Sequence, residues 1–170
     1  MLKIFRMNDK VETPTFATEG SACFDIKACI DMGREITSYN VWNKKTKVIP
    51  KVVGGVVSIQ VTPGDRVLVP TGLIFDIPEE HVLKLYNRSS TGLKKGLMLP
   101  NSVGIIDSDY VEESFIMMQN MSESLVVIQD GERLAQAMLE PVYKYSLTAI
   151  ESRPEQKTSR DGGFGSTGTK

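Results

Sequence analysis

Hydrophobic and polar positions alternate along this chain in short runs, and turn residues cut each run before a helical period can develop. The segment "VSIQVTPGDRVLVPTGLIFDIP" (57–78) shows the pattern: a strand-like run, Pro63-Gly64, a second run, Thr71-Gly72, a third run. "LKIFRM" near the start, "HVLKLY" (81–86), "SFIMMQNM" (114–121), "SLVVIQ" (124–129) and "ERLAQAMLEPV" (132–142) read the same way. "VVGGVV" (52–57) predicts a hairpin turning at Gly54-Gly55. No stretch carries a long 3.6-residue apolar period, and "SSTGLKKGL" (89–97) has room for one short helix at most. Many short strands between Pro and Gly turns predict an all-β fold, a barrel or jelly roll. The expected organisation is one β domain over 1–150 and a flexible polar arm over 151–170.

A chain of 170 residues suffices for one domain with a real core. Its 20 basic and 21 acidic residues leave a net charge of −1. No global field therefore draws it to nucleic acid or to a membrane surface, and any anion site must be local. No apolar run approaches the roughly 20 residues of a membrane helix. "MLKIFRMNDK" lacks the core of a signal peptide. Cys23 and Cys29 offer neither a disulfide framework nor metal-ligand spacing, so both are expected to stay reduced in a cytoplasmic protein. His81 is the single histidine, which argues against a zinc site or a His-based triad; it is expected near a strand start or a turn.

Five segments are more specialised than strand grammar requires. "SACFDIKA" (21–28) puts one carboxylate, Asp25, inside an apolar strand, where an edge position facing water would also explain it. "NRSSTGLKKGL" (87–97) offers the cation of Arg88 and the hydroxyls of Ser89 and Ser90, a common phosphate cradle. "PNSVGIIDSDY" (100–110) holds Asn101, Gly104, Ile106, Asp107 and Tyr110. A strand or hairpin there would aim Asp107 inward beside an aromatic wall; a plain turn at Asp107-Ser108-Asp109 is the alternative. "GERLAQAML" (131–139) sets Arg133 and Gln136 in an otherwise apolar strand. The last segment, "RDGGFGSTG" (160–168), plants Phe164 among glycines with Gly165, Ser166 and Arg160 nearby. A Gly/Ser-rich end is commonly an idle tail. Here the aromatic and the bare backbone around it fit a lid that closes on an aromatic, phosphorylated molecule.

In order and spacing these five segments resemble the five motifs of the homotrimeric dUTPases, the deoxyuridine triphosphate nucleotidohydrolases. The likeness runs over nearly the whole chain, and the third and fifth segments are its most specific parts. Some positions depart from the family pattern. Cys23-Phe24 stands for the usual Gly-Tyr, Asn87 for a frequent proline, and Val111-Glu112-Glu113 for the usual residues after the tyrosine. Arg160 is one residue closer to Phe164 than is common. Residues 31–58, with Trp42 and the basic run Lys44-Lys45-Thr46-Lys47, replace a shorter loop. They are expected to form a solvent-facing excursion outside the core.

The resemblance implies a β-clip, jelly-roll-like trimer with swapped C-terminal arms and hydrolysis of dUTP to dUMP and pyrophosphate. It implies Mg²⁺ as cofactor, with Asp25 holding the ion through water. Asp107 would be the general base, Tyr110 would exclude a 2′-hydroxyl, and Asn101, Gly104 and Ile106 would read uracil. Arg88, Ser89 and Ser90 would contact phosphate, and Gln136 phosphate or the water network. Arg133 would serve substrate or a structural ion pair. Arg160, Phe164, Gly165 and Ser166 would close over the nucleotide. Two other readings stand beside this one: a dCTP deaminase on the same sheet architecture, and a nucleotide-switched regulatory protein that binds a protein partner through residues 31–58.

Overall fold

The computed structural model describes residues 1–159 and 162–163. Its strands are β1 (Lys3–Arg6), β2 (Phe24–Lys27), β3 (Ile36–Tyr39), β4 (Lys45–Val48), β5 (Lys51–Val53), β6 (Val56–Val61), β7 (Arg66–Pro70), β8 (Leu73–Asp76), β9 (His81–Asn87), β10 (Leu97–Met98), β11 (Gly104–Ile106), β12 (Phe115–Asn120), β13 (Val126–Gln129) and β14 (Arg133–Pro141). One helix, α1 (Ser89–Lys95), lies between β9 and β10. Among the described residues the all-β expectation holds, including the single short helix and the start of β9 at His81. Every pairing is antiparallel, which short turns permit.

The strands form four ladders around one core: β1-β8, β10-β12-β7-β3-β4, β11-β9-β14-β2 and β13-β6-β5. Alternation explains the layering. In β12, Ile116, Met118 and Asn120 turn inward while Met117 is exposed; in β7, Val67 and Val69 are buried. Ile26, Ile59, Phe75, Leu83 and Leu134 join them from the other ladders. Each of the apolar side chains among them contributes about 1.5–3 kcal/mol by removing apolar surface from water. The predicted Gly54-Gly55 turn joins β5 to β6 with both φ angles positive, 59° and 83°. Between β7 and β8, Gly72 adopts φ +67°, and a Cβ there would stand 2.6 Å from Val11 Cγ2. Only glycine fits that turn without displacing the loop above it.

The structure corrects the expectation for residues 31–58. β3 pairs with β7 through Ser38↔Val67 and Tyr39↔Arg66, and β4 continues that sheet. Ile36 is 2% exposed and belongs to the core. The segment is therefore partly structural, because β3 has its own inward-facing positions at Ile36 and Ser38. Its outer parts do face solvent: Lys44, Lys45 and Lys47 are exposed, and Trp42 is 82% exposed. After β14 the chain carries no strand through 159, and those residues are exposed. Among the described residues no helix is long and apolar enough to cross a membrane.

Candidate active site

Asp25, Arg133, Gln136 and Arg88 converge because β2, β14 and β9 are neighbours in one sheet. The register sets Gln136 opposite Asp25 on one side and opposite Tyr86 on the other. A β-bulge between Arg133 and Ala135 turns two successive residues, Leu134 and Ala135, into the core. Arg133 and Gln136, three apart, consequently both escape burial beside Asp25. Arg88 follows directly on β9, where the backbone leaves the sheet for α1 with φ −81° and ψ 141°.

Asp25 is the centre of this group. Arg88 Nε donates to its Oδ1 at 2.7 Å and Arg133 Nη1 donates to its Oδ2 at 3.1 Å. Its side chain is 20% exposed, so these charges are incompletely screened. Asp25 does lie on an edge strand, and its two carboxylate oxygens meet arginines while part of the side chain still reaches solvent. Arg133 is ion-paired with Asp25 and its side chain stays half exposed. Arg88 Nη1 also donates to Ser90 Oγ at 3.3 Å and to the Arg133 carbonyl at 3.2 Å. Gln136 Nε2 donates to the Asn87 carbonyl at 3.2 Å. Ser89 is exposed beside them. Two guanidinium groups around one carboxylate leave one cation in excess, with spare donors of the kind that bind anions. A cavity of about 330 Å³ adjoins Asp25 and Arg133 and is also lined by Lys10, Lys27 and Asp130.

The 100–110 segment forms a second group. It is not a hairpin of its own: β11 pairs with β9, and Asp107 follows on an exposed turn closed by the Tyr110 N–H on the Asp107 carbonyl at 3.2 Å. The turn alternative is what the chain adopts, because only Gly104 and Ile106 are drawn inward. Ser102, next to Asn101, holds a left-handed φ of 63°, a conformation that non-glycine residues adopt only under constraint. Asn101, Gly104, Ile106 and Tyr110 line a cavity of about 270 Å³ with Leu85, Phe115 and Met117. The Tyr110 hydroxyl donates to the Glu113 carbonyl at 2.9 Å, which fixes its ring at the cavity wall.

The two groups do not meet within one chain. Gly104 lies opposite Leu85 and Ile106 opposite Leu83, so Asp107 falls beside Val82. Arg88 is at the other end of β9, roughly 20 Å away at the ordinary rise of a strand. Arg160, Phe164, Gly165 and Ser166 lie outside the described residues.

Reading motifs along the chain also misses a pair that the fold creates. Arg34, between β2 and β3, makes a bidentate ion pair with Glu113, and the carboxylate raises the pKa of the guanidinium. Glu113 stands just after the third motif, but no local pattern marks residue 34 as its partner.

Among the described residues no cluster of three or more metal-ligating side chains occurs. Asp25 is a hard oxygen donor with a solvent-reaching edge, and it fits Mg²⁺ held mainly by the phosphates of a ligand and reached through water.

The family model described as dUTPase matches residues 56–168. A deoxyuridine 5'-triphosphate nucleotidohydrolase of Chlamydia abortus is 33% identical over 172 aligned residues, covering 100% of both chains. One from Hydrogenobaculum is 42% identical over 113 residues, 66% of this chain and 77% of its own. The crystal structure of dUTPase from Streptococcus mutans superposes with a TM-score of 0.65 at 28% identity, covering 85% of this chain and 98% of that one. With the family model spanning most of its length and a relative aligned from end to end, this chain belongs to the dUTPase family.

Proposed function

We propose that the chain is a dUTP diphosphatase, hydrolysing dUTP to dUMP and pyrophosphate in the cytoplasm as a homotrimer. What carries this reading is the pair of residue groups at opposite ends of β9. One has the chemistry to bind polyphosphate; the other has a carboxylate beside a cavity with an aromatic wall. A general base must come within hydrogen-bond reach of the water it activates. A separation of roughly 20 Å forbids this for Asp107 and Arg88 of the same chain on one triphosphate. An assembly in which one subunit supplies Asp25, Arg88, Ser89, Ser90, Gln136 and Arg133, and a neighbour supplies Asn101 to Tyr110, removes the conflict. The arm bearing Arg160, Phe164, Gly165 and Ser166 comes from the third subunit in this reading.

In the reaction, water oxygen attacks the α-phosphorus while Asp107 accepts its proton. The bond to the bridging oxygen breaks and pyrophosphate departs. Arg88 and the serine hydroxyls bind the phosphates, and Asp25 orients Arg88. Bound Mg²⁺ supplies charge neutralisation on the phosphates. Tyr110 closes the sugar side, and Asn101 with the Gly104 and Ile106 backbone reads the uracil edge, where a mismatched donor costs about 1–3 kcal/mol.

The test is pyrophosphate release from dUTP, UTP, dCTP and dTTP, with Mg²⁺ and with EDTA. Activity confined to dUTP and lost in EDTA is expected. D107N should retain dUTP binding by calorimetry and lose on the order of 10²-fold or more in kcat. Turnover of D107N within about threefold of the parent removes Asp107 from the base role. Ammonia release from dCTP would turn the assignment to a deaminase.

A further inference from the structure

One half-buried ion pair lies outside both residue groups yet fastens the wall of the cavity at Tyr110. Glu113 is 7% exposed. Its Oε1 accepts from Arg34 Nη1 at 3.1 Å and from the Gly72 backbone N–H at 2.9 Å, while Oε2 takes Arg34 Nη2. Three distant stretches thus meet on one carboxylate: the β2–β3 connection, the β7–β8 turn and the lead into β12. The next residue is fastened too. Ser114 N–H donates to the Leu73 carbonyl at 2.9 Å, and Thr71 Oγ1 donates to the Ser114 carbonyl at 2.6 Å. The Glu113 carbonyl is the one that accepts the Tyr110 hydroxyl. The Arg34 guanidinium also lies 5.8 Å from the centre of the Phe115 ring. Phe115 and Tyr110 line the same cavity.

We propose that Arg34 is a positioning residue for sugar selection: its fork on Glu113 fixes the carbonyl that holds the Tyr110 hydroxyl. The inference rests on the reading of Tyr110 as the gate against a 2′-hydroxyl. A steric gate discriminates only if its wall cannot yield, since small displacements at a binding surface carry large effects on rate. A buried carboxylate follows its cation, because separating them strands a charge. Arginine presents a rigid two-pronged donor; lysine supplies the charge without the fork. Residue 34 lies in the 31–58 segment, outside all five motifs, so this segment would tune the substrate choice of the site through the fold.

The test compares kcat/KM for dUTP and UTP in the parent, Arg34→Lys, Glu113→Gln, Tyr110→Phe, Tyr110→Ala and the Arg34→Lys/Tyr110→Phe double variant. Arg34→Lys should raise the UTP-to-dUTP efficiency ratio roughly fivefold, the scale of one loosened hydrogen bond, and act on KM more than on kcat. Glu113→Gln keeps an acceptor for the Gly72 N–H and should shift the ratio the same way; it carries the test if Arg34→Lys does not fold. The double variant should go no further than Tyr110→Phe alone, because both changes act through one contact. A role in folding alone would lower both efficiencies by one factor and leave the ratio in place. If Tyr110→Ala changes the ratio but the folded Arg34 and Glu113 variants do not, or if the double variant is additive, the inference is overturned. An unchanged ratio in Tyr110→Ala sinks the gate and the inference with it.

Discussion

Glu140 accepts hydrogen bonds from Lys84 Nζ at 2.6 Å and from the Tyr86 hydroxyl at 2.8 Å, on the same sheet that carries Asp25 and Gln136. The Lys84 bond first, then the Tyr86 bond, hold its carboxyl below the ordinary carboxylate pKa. The sign follows from proton linkage. A carboxyl with a depressed folded pKa stabilises the protein above its unfolded pKa, and that contribution fades as pH falls through the folded value. In thermal melts from pH 7 downward, Glu140→Gln should therefore be the less stable protein at neutral pH, and the gap to the parent should close in acid. A gap independent of pH would show that the carboxylate's charge contributes nothing there.

Among the elements, β3 carries the clearest consequence of the fold. Burial of Ile36 against the core and pairing with β7 make it a structural strand, although it lies in a stretch that looks like an insertion. Ile36→Ala should cost about 2–5 kcal/mol by lost transfer energy and a residual cavity. Trp42→Ala, on the exposed turn of the same segment, should stay within about 0.5 kcal/mol of the parent. Urea denaturation of both variants measures the contrast. Equal, small effects would return the whole segment to the surface. The bulge in β14 is the other decisive local feature. It converts two inward residues in succession into a three-residue step between Arg133 and Gln136, and so brings both to Asp25.

At the scale of the whole molecule, the separation along β9 makes subunit mixing informative. D107N and R88Q should each be nearly inactive when assembled alone. Refolded together in equal amounts, they should recover about a quarter of the parent rate if the site is shared as proposed, because one site in four of a cyclic trimer would then pair an intact base with an intact neighbouring arginine. A site contained in one chain recovers nothing. Pyrophosphate release from the co-refolded mixture, with trimer mass checked by light scattering, decides between them.

The sequence by itself determined most of what is local. Alternating apolar positions and Pro/Gly turns set where strands run along the chain and which of their faces is apolar, since side chains along a strand point to opposite faces with period two. The five motifs pointed to the family, and the resemblance they carry implied phosphate binding, base reading and water activation. Tertiary structure decided everything that depends on pairing across long separations. The meeting of Arg88 and Arg133 on Asp25 requires β9 and β14 in one register and a bulge in β14. The bidentate contact of Arg34 with Glu113 joins residues far apart in the chain. Ile36 became core because β3 found an edge of β7 to pair with, a partner that its own sequence does not name. Asp107 reads as inward from its apolar neighbours, yet it sits on an exposed turn, because backbone hydrogen bonds to β9 end with Ile106. Strand periodicity is written residue by residue, whereas the face a strand meets is set by the packing of the whole chain.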